Sequence, residues 1–348
     1  MPFSHFRQTG VLAALGAAIL FGTGTPLAKL LLADISPWML AGLLYLGSGL
    51  GLTLYRLLTK AESTRLSRRE AIWFAGAVAS GGIVAPVLLM LGLNAMPASG
   101  ASLLLNAEGV FTALLAWFAF KENFDTRIAL GMMAIVAGAV VLSWPGHAEF
   151  SASWGVLAVL GACLAWGIDN NLTRKVSLSD ATWIACVKGL TAGSANLALA
   201  FSTGARFPDW PVMAGALLVG LLAYGVSLTL FVVGLRHLGT ARTGAYFSVA
   251  PFIGAALAVM LGDSVTPMLI VAGALMALGI WLHLTEHHAH EHTHGEMEHE
   301  HEHAHDDHHR HSHDFPVAPG TKHSHRHLHA PITHTHAHFP DVHHQHDH

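Results

Sequence analysis

Charged residues are scarce in this sequence. Asp, Glu, Lys and Arg make up 11% of the 348 residues, whereas 52% are hydrophobic; soluble domains usually carry about 25% charged residues. The few charges stand in short clusters between apolar runs, which are close to the ~20 residues that a membrane-spanning helix needs. This pattern excludes an ordinary soluble domain and predicts an all-α integral membrane protein in the lipid bilayer.

Cysteine and enzyme motifs are also scarce. The only two cysteines, Cys163 and Cys186, both lie in apolar segments, so we expect packing thiols rather than a disulfide framework. The sequence has no phosphate-cradling loop, no nucleophile–base pair and no soluble domain large enough to house either. We therefore expect neither an enzyme nor an ATP-driven pump, no required cofactor and no nucleic-acid partner. Transport energy would come from an ion gradient or from substrate exchange.

Ten apolar segments are separated by charged or turn-rich breaks. They run over residues 10–33, 37–58, 71–92, 98–120, 127–144, 154–173, 180–203, 211–235, 240–261 and 267–284. If the N-terminus is cytoplasmic, twelve lysines and arginines fall on the inside and only Arg206 falls in the alternate loops. This positive-inside bias predicts ten spans in the cell membrane, with both termini in the cytoplasm.

The chain carries an internal duplication. GVLAALGA at 10–17 matches GVLAVLGA at 155–162 in seven of eight positions, and GVFTALLAWFAFKEN at 109–123 echoes APFIGAALAVMLGDS at 250–264. Residues 10–144 and 154–284 are therefore predicted to be two five-helix repeats, followed by a tail at 286–348. Because five is odd, the second repeat enters the membrane inverted, which is typical of secondary transporters.

Two stretches carry a family resemblance: LLLNAEGVFTALLAWFAFKENFDTRIALG and AYFSVAPFIGAALAVMLGDSVTP. They resemble the EamA-type members of the drug/metabolite transporter superfamily, and the resemblance covers residues ~10 to ~284. It implies a plasma-membrane carrier, often an exporter, for small metabolites such as amino acids. One departure is that many first halves have a proline near Gly109 and Val110, where the second half has Pro251; here Glu108 stands beside that point.

Four ionisable residues fall within or near the apolar spans: Lys29, Glu108, Asp169 and Lys188. An unpaired charge at the centre of a span costs about 2.5–3.5 kcal/mol on insertion scales, so such groups usually face a cavity or a partner. Glu108, with Asn106 two positions earlier, is the strongest candidate to bind a substrate amine or cation, or to carry a proton. Lys29 is close to the outer end of its segment, and we expect it to extend to the interface.

Fixed ion pairs are the alternative interpretation of these charges. Glu108 and Lys188 could merely hold two helices together, although Lys188 could instead receive a substrate carboxylate. Asp169, followed by Asn170, could line the pathway or form a salt link with the basic pair at 174–175.

Glycines and prolines mark possible breaks in the spans. Gly22, Gly24 and Pro26 occur in the run GTGTP, and Pro86 and Pro251 lie inside other segments. Each proline removes a backbone hydrogen bond and can expose a carbonyl to a cavity or act as a gating bend. Fixed kinks and close helix packing through the glycines are the alternative.

The tail is rich in histidine: 24 of the 28 histidines lie between His287 and His348. It has no apolar periodicity, so we expect disorder in the absence of a ligand. Neutral imidazoles suit Zn, Ni, Co and Cu, and the interspersed acids add oxygen ligands. The candidate ligands are His290, His292, His294, His299, His301, His303, His305, His311 and His313.

Two functions from different classes follow. In the first, the protein exports a metabolite and the tail is a buffer or sensor; in the second, it exports divalent metal ions that the tail collects. Metal export needs ligands within the membrane, where Glu108 and Asp169 are the only buried acids and no histidine lies mid-span. We therefore favour the metabolite carrier over metal export, and both over a metal sensor without transport.

Overall fold

A computed structural model describes residues 2–61, 64, 66–120, 126–143, 150–176, 180–238, 243 and 246–284, together with four tail segments. The chain divides into two compact units, Met1–Glu286 and His287–His348. The first unit contains the apolar segments and the second contains the histidine-rich tail.

The described part of the first unit is helical, as the sequence predicts. Its α-helices are α1 (Pro2–Leu31), α2 (Pro37–Leu58), α3 (Arg68–Ala77), α4 (Ala85–Ala95), α5 (Ala98–Leu104), α6 (Ala107–Phe120), α7 (Thr126–Ser143), α8 (Phe150–Thr173), α9 (Ala181–Ser202), α10 (Trp210–Gly220), α11 (Ser227–Leu238), α12 (Ala250–Met260) and α13 (Pro267–Leu284). Two π-helices, Val78–Val84 and Leu221–Val226, join α3 to α4 and α10 to α11, and a short 3-10 helix, Arg174–Val176, follows α8.

Seven described helical segments are long and apolar enough to cross a membrane. Three further apolar helices, Ala129–Ser143, Ala250–Met260 and Pro267–Leu282, are shorter. Ala250–Met260 is bounded by turns at 248–249 and 261–262, whereas the other two helices are followed closely by residues outside the described ranges. The multi-pass membrane architecture is confirmed, and the full count of ten inverted spans stays a prediction.

Helix starts follow local capping chemistry. The Ser67 hydroxyl accepts from the Glu70 N–H while the Glu70 carboxylate accepts from the Ser67 N–H, which forms a capping box at the start of α3. At the start of α9, Asp180 accepts from the N–H groups of Thr182 and Trp183.

Small residues allow the helices to approach closely. A Cβ atom added to Gly49 of α2 would lie 2.5 Å from the Leu190 nitrogen of α9, and one added to Gly193 would lie 2.6 Å from the Leu46 nitrogen. In the membrane, packing of this kind replaces the hydrophobic drive between helices. Along the chain, α2 packs on α9, α7 on α13, α1 on α11 and α12, and α8 on α4 and α6.

The helix interruptions lie partly where the sequence predicts them. Pro86 begins α4 directly after a π-helix, and Pro251 begins α12 directly after a turn at residues 248–249. The interruption expected at Pro26 is absent, because α1 continues through it to Leu31. A proline removes only one helical hydrogen bond, and neighbouring helices compensate for it in membrane proteins.

Gly22 and Gly24 are at close helix contacts. A Cβ atom on Gly22 would lie 2.3 Å from the Ala250 carbonyl oxygen, and one on Gly24 would lie 2.8 Å from the Ala223 Cβ. These contacts fit the packing interpretation of the GTGTP run.

The tail contains strands where the sequence predicts disorder. β1 (Ala289–His294) pairs with β4 (Ile332–Ala337), and β2 (Met297–His303) pairs with β3 (His323–His329), both antiparallel. Histidine recurs at every second position here, and a period of two matches the pleat of a strand. The prediction of disorder rested on missing apolar periodicity and overlooked this polar one.

Candidate functional site

Glu108 lies directly after a break in the fourth apolar segment. Helix α5 ends at Leu104, and α6 begins at Ala107, so Glu108 is in the first turn of α6. The N-terminus of a helix carries a partial positive charge, which favours a carboxylate at this position. Asn106 is buried in the break, where its Nδ2 donates to the Leu103 carbonyl oxygen at 2.9 Å. Asn106 therefore supports the break rather than contacting Glu108 through its amide.

Glu108 is hydrogen bonded across the α6–α8 interface. The Asn170 Nδ2 donates to the Glu108 Oε1 at 2.9 Å and to the Thr112 Oγ1 at 3.2 Å. The next residue, Asn171, donates to the Thr112 carbonyl oxygen at 3.1 Å. Glu108 is half-buried and Asn170 is exposed, so this carboxylate–amide pair is accessible from outside the protein core.

Asp169 and Lys188 form an ion pair between α8 and α9. The Lys188 Nζ contacts the Asp169 Oδ2, and the Thr173 hydroxyl donates to the Asp169 Oδ1 at 2.9 Å. The side chains are 5% exposed for Asp169 and 15% exposed for Lys188. The predicted alternative of a Glu108–Lys188 pair is wrong, because Lys188 extends to Asp169.

A salt link between Asp169 and the basic pair at 174–175 stays a prediction, beside the Asp169–Lys188 pair that the structure shows. Asp169 is buried on the side of α8 that meets α9. The basic pair belongs to the 3-10 turn that follows the helix.

Lys29 is separate from this cluster. Its Nζ donates to the Leu93 carbonyl oxygen at the end of α4, and this contact links α1 to α4. The sequence predicts that Lys29 extends to the membrane interface, and in the structure its ammonium group binds a backbone carbonyl of α4.

The cluster around α8 carries an excess of negative charge. Glu108 and Asp169 supply two carboxylates, and Lys188 supplies one ammonium group. Lys188 forms its ion pair with Asp169, and none of the described ion pairs includes Glu108. A carboxylate at this depth needs a proton, a cation or a substrate ammonium group as its counter-charge.

The first π-helix supports the ion pair. The Gly81 carbonyl oxygen accepts from the Tyr45 hydroxyl at 2.7 Å and from the Trp166 Nε1 at 3.0 Å. A Cβ atom on Gly81 would lie 1.9 Å from the Asp169 Oδ2, so only glycine fits beside the carboxylate. Single π-turns within α-helices are frequent at functional sites. Sequence reasoning missed these residues, and the paired glycines at 81–82 shortly before Pro86 were the available signal.

An aromatic surface continues from Tyr45. The ring centroids of Tyr45 and Tyr224 are 5.3 Å apart, and those of Tyr224 and Phe21 are 6.0 Å apart. Phe247 follows at 5.4 Å from Phe21. Tyr224 belongs to the second π-helix and Tyr45 donates to Gly81 of the first, so both π-helices contact one row of aromatic rings that runs from Tyr45 to Phe247.

The described side chains of the first unit offer no cluster of metal ligands. Among the residues whose side chains the structure describes, no group of three or more His, Cys, Asp or Glu could hold a metal ion. Of the predicted tail ligands, His290, His292 and His294 belong to β1, and His299, His301 and His303 belong to β2. The remaining three, His305, His311 and His313, lie outside the described residues.

Comparison with known proteins gives the family. The model of the EamA-like transporter family matches twice, at residues 8–144 and 153–285. An uncharacterized transporter of Methanothermobacter thermautotrophicus is 27% identical over 298 residues, which is 79% of this chain and 86% of the relative. A probable amino-acid metabolite efflux pump of Escherichia coli is 23% identical, over 80% of this chain and 95% of its own.

A third relative is similar in sequence, and a solved structure is similar in fold. A probable terminal-alkyne amino-acid exporter of Streptantibioticus cattleyicolor is 30% identical over 56% of this chain and 67% of the relative. One crystal structure shares the fold with a TM-score of 0.60 at 18% identity, covering 78% of this chain and 94% of the solved one. With its family model matched over both halves of a multi-pass helical unit, the chain belongs to the EamA-like transporter family.

Proposed function

We propose that this protein exports a small, amino-acid-like metabolite across the cell membrane by alternating access. The observation that carries this proposal is the Glu108 carboxylate, which lies at a helix break, is held by the Asn170 amide and has no cation among the described ion pairs. The relatives described as amino-acid exporters support the substrate class and the direction of transport.

Two inverted repeats of five spans are the architecture behind this mechanism. Exchanging the two halves turns the packing of α1 on α11 and α12 into the packing of α8 on α4 and α6. The π-helices also fall in corresponding segments, the third and the eighth. These correspondences support two copies that trade packings to open one face and then the other, with both termini in the cytoplasm.

The site suits a molecule with an ammonium group. When the substrate ammonium group binds Glu108, it supplies the missing positive charge and lowers the cost of the carboxylate in the membrane. In the empty carrier a proton supplies the same charge, so exchange of proton for substrate would couple export to an ion gradient. Lys188 would meet the substrate carboxylate, with Asp169 as its partner when the site is empty.

The surroundings suit the rest of the substrate. The aromatic surface from Tyr45 to Phe247 lies beyond the charged cluster and offers apolar contact to a side chain. The breaks before Glu108 and Pro251 and the π-helix before Pro86 supply irregular backbone within the spans, and such carriers bind their substrates beside backbone of this kind.

Efflux of a divalent transition metal is the second candidate. The observation that favours it is the concentration of 24 histidines in the tail, where the ions would collect. The two carboxylates of the cluster would then be the membrane ligands.

One paired experiment in cells separates the two cargoes. Resistance to toxic amino-acid analogues and accumulation of Zn, Ni and Co would be measured for the full chain, a chain ending at Glu286 and Glu108→Gln. Glu70→Gln, at the capping glutamate of α3, is the matched control. We expect analogue resistance to survive removal of the tail and Glu70→Gln but not Glu108→Gln. Metal efflux that is lost in both the truncated chain and Glu108→Gln would replace the metabolite with a metal ion.

A further inference from the structure

The register of the tail strands places histidine opposite histidine. In the β2–β3 sheet, histidines at every second position of β2 pair with three histidines of β3. The β1–β4 sheet has two such histidine pairs. The partners are His299–His327, His301–His325 and His303–His323 in the first sheet, and His290–His336 and His292–His334 in the second. Five of these ten histidines, all in β3 and β4, are absent from the ligands that spacing alone predicts.

Each set of pairs shares one face of its sheet. Successive residues of a strand point to opposite faces, so positions two apart lie on the same face. In β2 the other face carries Glu298, Glu300 and Glu302, whose register partners are not histidines. A slip of one residue would move every histidine of one strand to the glutamate face. The alternation therefore specifies both the register and a face composed of histidine.

We propose that each of these two sheets is a binding site for one divalent transition-metal ion, held by two consecutive cross-strand histidine pairs. Residues opposite each other in an antiparallel pair have Cβ atoms about 4.5–5.5 Å apart. Consecutive pairs follow at about 6.6–6.8 Å along the strands. Two consecutive pairs thus place four histidine positions on one face within the span of a single four-coordinate ion, whose usual metal–nitrogen distances are about 2.0–2.1 Å.

Zn²⁺ is the ion that this ligand set suits best, and Ni²⁺, Co²⁺ and Cu²⁺ are also imidazole-binding metals. Four-coordinate nitrogen and sulfur sets are the usual structural Zn²⁺ sites, and such sites contribute directly to folding. Metal binding would therefore stabilise the strand pairing itself. This inference concerns the tail unit alone and is independent of the proposed transport function.

A swap of neighbouring residues tests the role of register without changing composition. His301→Glu with Glu302→His, combined with His325→Ser and Ser324→His, moves the central pair of the β2–β3 sheet to the opposite face. The two pairs that remain are no longer consecutive. Met297→Glu with Glu298→Met is the matched control, because it exchanges neighbouring residues of β2 without moving a histidine.

Zn²⁺ binding to the purified full chain would be measured by equilibrium dialysis, with visible absorption of bound Co²⁺ as a report of tetrahedral coordination. We expect the quadruple swap to lose about one tightly bound ion per chain, with at least about tenfold weaker binding at that site. The control swap keeps the full number. If the quadruple swap binds as many ions as the control, with the same affinity and the same Co²⁺ spectrum, the histidines bind metal without any defined register and the proposal is overturned.

Discussion

Replacing Gly81 with alanine is the sharpest test of the charged cluster. The added Cβ would lie 1.9 Å from the Asp169 Oδ2 and 2.3 Å from its Cγ, and real Cβ atoms do not approach other atoms so closely. The Gly81 backbone cannot withdraw easily, because its carbonyl oxygen accepts from both Tyr45 and Trp166. Either Asp169 or the backbone of the π-helix must therefore move.

The expected loss in the free energy of unfolding depends on whether the backbone or the ion pair moves. If the backbone shifts and the ion pair survives, overpacking costs about 1–3 kcal/mol of the free energy of unfolding. If the pair opens, an uncompensated buried charge costs about 3–5 kcal/mol. The anchored carbonyl favours the second outcome, so we expect the larger loss.

Gly109→Ala is the matched control, since a Cβ atom there would have no atom within 4 Å. In a helix this change should be neutral or stabilise by up to about 1 kcal/mol. Thermal unfolding of both variants in detergent gives the comparison, and amino-acid efflux gives the functional one. Equal melting temperatures for the two variants would refute the close packing of Gly81 on the ion pair.

Three further changes test neighbouring parts of the structure. Lys188→Met and Asp169→Asn should each destabilise the folded protein by about 3–5 kcal/mol, whereas the double variant should recover most of that loss in the same melting assay; additive losses would contradict the ion pair. Gly49→Leu should abolish the α2–α9 contact and the yield of folded protein in detergent, because even a Cβ atom would lie 2.5 Å from a backbone nitrogen; normal yield would contradict it. Burial opposes ionisation of Asp180. This effect is outweighed by hydrogen bonds from Thr182 and the α9 N-terminus and by the Arg56 guanidinium 3.1 Å away, so the pKa of Asp180 is about 2, below the ordinary 3.8. Its stabilising effect is thus present above pH 3.8 and is lost as the pH falls through 2; Arg56→Gln should begin to lose it at higher pH in melts recorded against pH, and an unchanged profile would count against the Arg56–Asp180 pair.

The sequence is sufficient to predict a multi-pass helical membrane protein because bilayer thickness acts on whole segments. Hydropathy and the repeated GVLA motif are sufficient for a duplicated helical membrane unit, which the two family matches support. The cost of charge in hydrocarbon also singles out Glu108, Asp169 and Lys188 from the sequence alone. These constraints are local in sequence or general to membranes.

The sequence does not predict which side chains of different helices contact each other. Nothing in the spacing decides whether Lys188 meets Glu108 or Asp169, because that depends on the rotation of α8 and α9 about their axes. The role of Gly81 depends on a π-turn that redirects its carbonyl, and no residue pattern fixes such a turn. The strands of the tail were missed for a different reason: their period of two was visible but was attributed only to metal ligands.

The most direct test of Glu108 as the transport carboxylate is exchange of a labelled amino acid in proteoliposomes that contain either the native protein or Glu108→Gln. The glutamine side chain keeps the size of Glu108 and can accept from the Asn170 amide, so the variant removes the charge and leaves the packing. We predict that the native protein exchanges the amino acid and that Glu108→Gln loses at least about tenfold in rate, as expected when a buried charge interaction is removed. Exchange by Glu108→Gln at the native rate would contradict the assignment of Glu108.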